Sequence, residues 1–255
     1  MVFLDTFVTR IAAPAGAVGF AIFAEARQWG VFHQLTWPGW IEFIVALFTL
    51  DLAIYFQHRI FHHVPVLWRL HRMHHADVDV DVTTGARFHP IEILLSLGIK
   101  FVVVIAIGPP AAAVLIFEVA LNATSMFNHS NVRMPPWLDR IVRWLVVTPD
   151  MHRVHHSIKR YETDSNFGFN FPWWDRLFAT YRPQPEAGHD QMTLGIEQFR
   201  DPKELRLDRM LVQPFRNERP SQQIEAHDAN DGAAQHQPHG VNAIAQQQDS
   251  RDHRQ

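Results

Sequence analysis

The stretch IEILLSLGIKFVVVIAIGPPAAAVLIFEVALNATSMF, Ile91–Phe127, is apolar for most of its length and is broken once, at Gly108-Pro109-Pro110. Proline lacks an N–H and clashes with the preceding turn, so the break predicts two helices joined by a tight turn. Each half approaches the ~20 residues that cross a hydrocarbon core. Two crossings return the chain to the face it left. The polar segments on either side, 57–90 and the chain from 128 onward, are therefore expected to meet on one side of a membrane.

Upstream, Ile11–Ala24 and Pro38–Phe56 are the other apolar regions. The first carries no convincing cleavage-site pattern and is read as a retained membrane helix. The expected fold is all-α, an integral-membrane helical bundle with a cytoplasmic histidine-rich helical cap. Its divisions are N-terminal membrane helices (1–57), a first polar segment (58–90), the hairpin (91–127), a cap (128–216) and a disordered polar tail (217–255). The polar face carries Arg59, Arg69, Arg72, Arg87, Arg133, Arg140, Arg143 and Arg153, and the positive-inside tendency makes it cytoplasmic. A soluble helical protein is the competing reading. Glu42, Asp51, Lys100 and Glu118, inside the apolar regions, lend it weight.

The net charge of -3 excludes a strongly basic nucleic-acid binder. With no Cys in the 255 residues, disulfides, iron–sulfur clusters, cysteine nucleophiles and thiolate metal sites are excluded. Histidine is the outlier, at 17 copies, 11 of them between His58 and His156.

Eight of those histidines fall in three runs: HRIFH from His58, HRMHH from His71 and HRVHH from His152. On a helix, residues i, i+3 and i+4 share a face. His58 and His62 therefore project together, as do His71, His74 and His75, and His152, His155 and His156. Arg72 and Met73 are expected to face away. Neutral imidazole suits zinc, copper, iron and nickel. Four ligands complete a structural zinc site. These runs supply eight, and His129 makes a ninth, enough for two adjacent metals. Asp51 and Tyr55 lie on the His58 stripe, and Asp51 is placed to hold a histidine ring through its free N–H. His89, before Pro90, is read as a helix cap or an outer contact, and Asn166 as a further outer candidate. His63 points off the ligand face. His189, His227, His236, His239 and His253 are read as solvated. Trp137, Trp144, Trp173 and Trp174 are read as interfacial anchors.

With HRIFH, LWRLHRMHH from Leu67, TPDMHRVHHS from Thr148 and NFGFNFPWWDRLFATY from Asn166, the chain resembles the fatty acid hydroxylase/sterol desaturase superfamily of membrane-bound non-haem di-iron enzymes. The likeness runs from about Leu50 to Tyr181. It implies two iron ions held by His58, His62, His71, His74, His75, His152, His155 and His156, with His129 as the additional histidine between the second and third boxes. Ser125 stands one turn before His129, where some members carry a further histidine. The implied reaction is hydroxylation or desaturation of a lipid C–H bond with O2. Electrons would come from an external ferredoxin or cytochrome-type donor. Two rival readings use the same cage: a zinc-dependent membrane lipid hydrolase, and a non-catalytic metal-binding or transport protein. Imidazole serves zinc and iron alike.

Overall fold

In the computed structural model, described for residues 1–13 and 15–217, the chain is built from helices; among these residues there is no strand, only an isolated bridge between Ser157 and Leu194. The polar tail beyond Asn217, with His227, His236, His239 and His253, lies outside the described residues. The helices are α1 (Val2–Ala12), α2 (Gly16–Ala26), α3 (Gly39–His63), α4 (Pro65–His75), α5 (Pro90–Ile107), α6 (Ala111–Asn128), α7 (Pro136–Val142), α8 (Pro149–His155), α9 (Arg160–Thr163), α10 (Trp173–Leu177) and α11 (Leu207–Val212). Four of them, α4, α5, α7 and α8, start on a proline, whose fixed φ and missing N–H suit the first helical position.

The hairpin forms as expected. Helix α5 stops at Gly108, whose left-handed φ of 65° returns its N–H to the Val104 carbonyl, and α6 restarts after Pro110. Both arms, α3, and the segment Phe3–Gln34 are long and apolar enough to cross a membrane. The last of these departs from a single helix over Ile11–Ala24. It is interrupted between Ala12 and Gly16, at the helix-breaking run Ala13-Pro14-Ala15-Gly16 of the sequence.

The bundle closes on small residues. Ala17, Ala21 and Ala24, one stripe of α2, are buried against Leu50 and Ile54 of α3, Val104 of α5, and Val114 and Phe117 of α6. Without a hydrophobic drive in lipid, such small side chains let helices approach closely enough for dispersion to hold them. Outward faces are apolar instead, with Ile44, Val102, Ile116 and Val119 all exposed. Such surfaces suit lipid and not water. Three of the charges inside the apolar regions, Asp51, Lys100 and Glu118, have partners. Lys100 Nζ donates to both oxygens of Glu118, at 2.6 and 2.9 Å, tying α5 to α6. Asp51 accepts three hydrogen bonds, described below. Two of the charges that favoured a soluble reading thus pair with each other, and a third has partners.

Helix α3 outruns the apolar stretch and carries His58 and His62 on its last turns. Helix α4 turns back against it, and α8 packs on the end of α6. All three histidine runs therefore converge at one end of the bundle.

At the opposite end two backbones touch. A Cβ on Gly30 (φ +107°) would lie 2.1 Å from the Gly108 nitrogen, and one on Gly108 would lie 2.3 Å from the Trp29 carbonyl. Gly30→Ala should therefore destabilise the protein by about 3 kcal/mol or more, combining left-handed strain with a backbone clash. Gly39→Ala, with no atom near the added carbon, should leave the thermal midpoint unchanged. Equal midpoints for the two variants in detergent would contradict this packing.

Candidate metal centre

Nine histidines converge in two groups. Ring nitrogens of His58, His62, His71, His75 and His155 lie within 4.8 Å of one another, and so do those of His74, His129, His152 and His156. All nine are buried, none more than 5% exposed. The helical runs are shared between the groups. His71 and His75, at i and i+4, go to the first, while His74, about 100° round the helix from His75, goes to the second. In the third run His155 joins the first group, and His152 and His156 the second.

The rings of the first group are oriented from behind. His58 Nδ1 donates to the Phe167 carbonyl at 2.8 Å, His155 Nδ1 to the Ser165 carbonyl at 2.7 Å, His71 Nδ1 to Glu92 Oε1 at 2.6 Å and His62 Nδ1 to Asp164 Oδ1 at 3.2 Å. Carbonyls and carboxylates only accept, so each Nδ1 carries the proton and each Nε2 keeps a lone pair. All four Nε2 atoms are buried with no hydrogen-bond partner. His75 has no partner on either nitrogen.

In the second group the nitrogens face one another. His129 Nδ1 donates to the Ser125 carbonyl at 2.7 Å, leaving a lone pair on Nε2. The Nε2 atoms of His74, His152 and His156 lie 3.2, 3.0 and 3.2 Å from it. One lone pair cannot serve three donors, whereas a cation at the centre satisfies all four rings. Burial, reinforced by neighbouring rings, holds His74, His75, His152 and His156 well below the ordinary imidazole pKa, and burial lowers His129 to about 4 and His155 to about 3. These rings are neutral at pH 7, the form that binds metal. The donor set fits two metal ions of the imidazole-loving kind.

Aromatic walls exclude water. Phe88 stacks on His74 at 4.4 Å, and Trp68 lies against His62 and His75 at 4.9 and 5.4 Å. A cavity of about 650 Å³ opens beside the first group, reaching His58 and His71 and running between α1, α3, α5 and α6. Trp137 and Trp144 are exposed and, like Trp173 and Trp174, are not in its lining.

The four outer candidates touch none of the nine rings by hydrogen bond. Asp51, expected to hold a histidine, instead accepts from Asn170 Nδ2 at 2.8 Å, Trp174 Nε1 at 2.7 Å and the Phe171 N–H at 3.4 Å. At its level α3 faces the 166–174 segment, and the rings begin only at His58, about two turns further on. Tyr55 bonds Thr180 Oγ1 at 2.9 Å. Asn166 ties Met151 to Arg182. His89 caps α5, accepting from the Ile91 N–H and reaching the Leu211 carbonyl. His63 is exposed and bonds only its own helix, and Arg72 faces away, donating to the Gln213 and Arg216 carbonyls. His189 departs from the solvated reading, since both its ring nitrogens are buried without a partner.

Glu92 and Asp164 are the ring-holding side chains that the sequence reading missed. Glu92 sits in the first turn of α5, three residues after His89; Asp164 follows α9 and is itself held by Arg160 Nε at 2.7 Å. Asp175 works one step further back. It accepts from the Phe167 and Gly168 N–H groups and from Thr180 Oγ1, at 2.7, 2.9 and 2.8 Å, which aims the Phe167 carbonyl at His58. Burial raises its pKa to about 6, and those donors hold it down. Gly168 is required there, since a Cβ would lie 2.7 Å from the Phe171 carbonyl.

Asp51→Leu leaves three donors without their acceptor, the buried Asn170 amide and the partly buried Phe171 and Trp174 N–H groups. It should cost about 2–4 kcal/mol of stability and red-shift tryptophan emission as Trp174 loses its anchor, read by thermal melting and fluorescence. An unchanged midpoint and spectrum would show that the contact is dispensable.

The sequence profile of the fatty acid hydroxylase family matches residues 43–180. Ornithine lipid hydroxylase OlsE of Rhizobium tropici is 30% identical over 150 residues, covering 58% of this chain and 44% of that protein. Alkylglycerol monooxygenase of Xenopus tropicalis is 30% identical over 168 residues, covering 64% of this chain and 34% of its own length. A very-long-chain aldehyde decarbonylase of Oryza sativa, GL1-7, is 24% identical over 194 residues, with 72% and 30% covered. The chain thus spans less than half the length of these relatives, and no solved structure matches it. The family match covers α3 from Phe43 through both histidine groups to Thr180, and the chain belongs to the fatty acid hydroxylase family.

Proposed function

We propose that this protein is a membrane-bound lipid oxygenase that hydroxylates or desaturates a C–H bond, using O2 and electrons from an external ferredoxin or cytochrome-type donor. The observation that carries the reading is the pair of buried imidazole groups, their metal-binding nitrogens without other partners, at the mouth of a cavity among membrane helices. His58, His62, His71, His75 and His155 would hold one iron and His74, His129, His152 and His156 the other. Iron so held supplies activation of dioxygen and oxidation of an unactivated C–H bond.

The chain's own residues do the rest. The Nδ1 acceptors fix tautomer and ring direction, so the lone pairs are already aimed when metal arrives. Phe88, Trp68 and Phe167 keep water from the groups. The cavity lets a lipid enter sideways from the bilayer and presents it to His58 and His71. Arginines on the histidine-bearing segments support a cytoplasmic face for the centre. The named activities of the relatives, a lipid hydroxylase and a monooxygenase, agree with this. A zinc hydrolase would use the same imidazoles, and metal identity separates the two.

Protein made in iron-replete cells should carry about two irons per chain and consume O2 with substrate and reductant. Two tight zincs with oxygen-independent turnover would overturn the reading. His74→Ala and His155→Ala should each abolish turnover and lower metal occupancy, while exposed His63→Ala does neither. Glu92→Gln weakens the support of His71 and should lower metal affinity roughly 10–100-fold, read by chelator competition. An unchanged affinity would remove Glu92 from the centre.

A further inference from the structure

We propose that the cavity accepts a lipid whose polar end brings hydrogen-bond donors, ammonium or hydroxyl, and discriminates against a free carboxylate; this rests on the lipid-oxygenase reading and names its substrate class. The polar atoms on the side chains that line the cavity carry the inference.

Most of the lining donors are turned onto the protein. Gln57 Nε2 donates to Ser96 Oγ at 2.8 Å, Asn122 Nδ2 to the Glu118 carbonyl at 2.7 Å, Thr9 Oγ1 to the Asp5 carbonyl at 2.8 Å and Ser125 Oγ to the Gly85 carbonyl at 3.0 Å. Lys100 is committed to both oxygens of Glu118, and Arg10 is engaged as well. Apart from the ring nitrogens of His58 and His71 assigned above to metal, the buried lining atoms left without a partner are all oxygens: Asp5 Oδ1 and Oδ2, Gln57 Oε1 and Glu92 Oε2. Asp5 and Glu92 are themselves more than nine-tenths buried. A buried acceptor without a donor is costly, and buried polar atoms in folded proteins are otherwise paired almost without exception.

The imbalance has one sign and one place. Glu92 gives its other oxygen to His71, Gln57 adjoins His58 in α3, and Asp5 comes from α1, which packs along α5. The unpaired oxygens thus belong to residues at the centre's end of the cavity. A head group carrying N–H or O–H there supplies what they lack. A carboxylate head would set acceptor against acceptor in a dry site and could find a cation only by breaking the Lys100–Glu118 pair or by drawing Arg10 from the interaction it already makes. The apolar lining of Leu97 and Leu121 leaves a path for the chain.

The test is equilibrium binding to the full chain in phosphatidylcholine nanodiscs, without reductant, using three probes of equal chain length: hexadecylamine, 1-O-hexadecylglycerol and palmitate. One or both donor-headed probes should bind about tenfold or more tighter than palmitate. The tighter of the two identifies ammonium or hydroxyl as the source of the donors. Asp5→Asn, which replaces one acceptor by a donor, should erase most of that preference while metal content is unchanged. Palmitate binding as tightly as both donor-headed probes, or a preference untouched in a folded Asp5→Asn protein, overturns the proposal. If the variant does not fold, the wild-type ranking decides. Binding is read without turnover, so a failed oxygenase reading (no iron, no O2 uptake) and a failed head-group selectivity give separate results.

Discussion

Nine imidazoles lie where water cannot hydrate them, and accommodating that much buried polar surface organises the rest of the chain. A ring nitrogen taken out of water needs a partner. Each ring has two nitrogens, and the protein treats them differently. In five rings one nitrogen is tied to an oxygen of the chain: Phe167, Ser165 and Ser125 carbonyls, Glu92 and Asp164. In those five rings a single nitrogen then remains, without a partner in four and facing its neighbours in His129; in His74, His152 and His156 Nε2 faces His129 and Nδ1 has no partner, and in His75 neither nitrogen has one. Segments far apart in sequence are recruited to this one task. The loop after α9 serves His58, His62 and His155, the start of α5 serves His71, and the end of α6 serves His129.

The spacing of the histidine runs is explained by the division into two groups. A run with members only at i and i+4 would serve a single centre. Adding a histidine at i+3 points a third ring aside, toward a second one. His71 and His75 thus face inward with His58 and His62, while His74 crosses to His129. The third run inverts the allocation, giving one ring to the first group and two to the second. Helix periodicity therefore made the converging histidines legible in the sequence and left their partition open, because the partition depends on how α4 and α8 are rotated about their axes.

The hairpin, the all-helical architecture and the convergence of three runs were legible because each follows from a local rule: apolar length, a Gly-Pro-Pro break and the 3.6-residue repeat. What stayed hidden was tertiary. Asp51 stands on the same stripe as His58, so spacing allowed it to hold a ring. The segment 166–174 packs against that stripe and takes the carboxylate for Asn170 and Trp174. Glu92 was hidden for the converse reason. An acidic residue in the first turn of a helix has an ordinary explanation in the helix dipole, and only the 21-residue return to His71 shows its second use. The break in the N-terminal crossing was written in the sequence as a proline and a glycine. Its consequence, a short helix bringing Asp5, Thr9 and Arg10 to the cavity, depends on where α1 lies against α5.

The two groups are not equivalent, and their differences run in one direction. Four of five rings in the first are tethered through Nδ1, whereas in the second only His129 is, the Nδ1 atoms of His74, His152 and His156 having no partner. The cavity reaches His58 and His71, both of the first group, and no ring of the second. Orientation is thus tightest where a substrate would arrive. On the proposed lipid-oxygenase reading, that is the demand on a site acting at one position of a flexible chain, since misplacement of the reacting atom by about 1 Å can cost a hundredfold in rate. The less tethered group lies behind, its four Nε2 atoms drawn together and walled by Phe88 and Phe169. On the proposed reading, a centre built this way separates two duties: one set of rings would fix position against a lipid, and the other is held mainly by what the rings share.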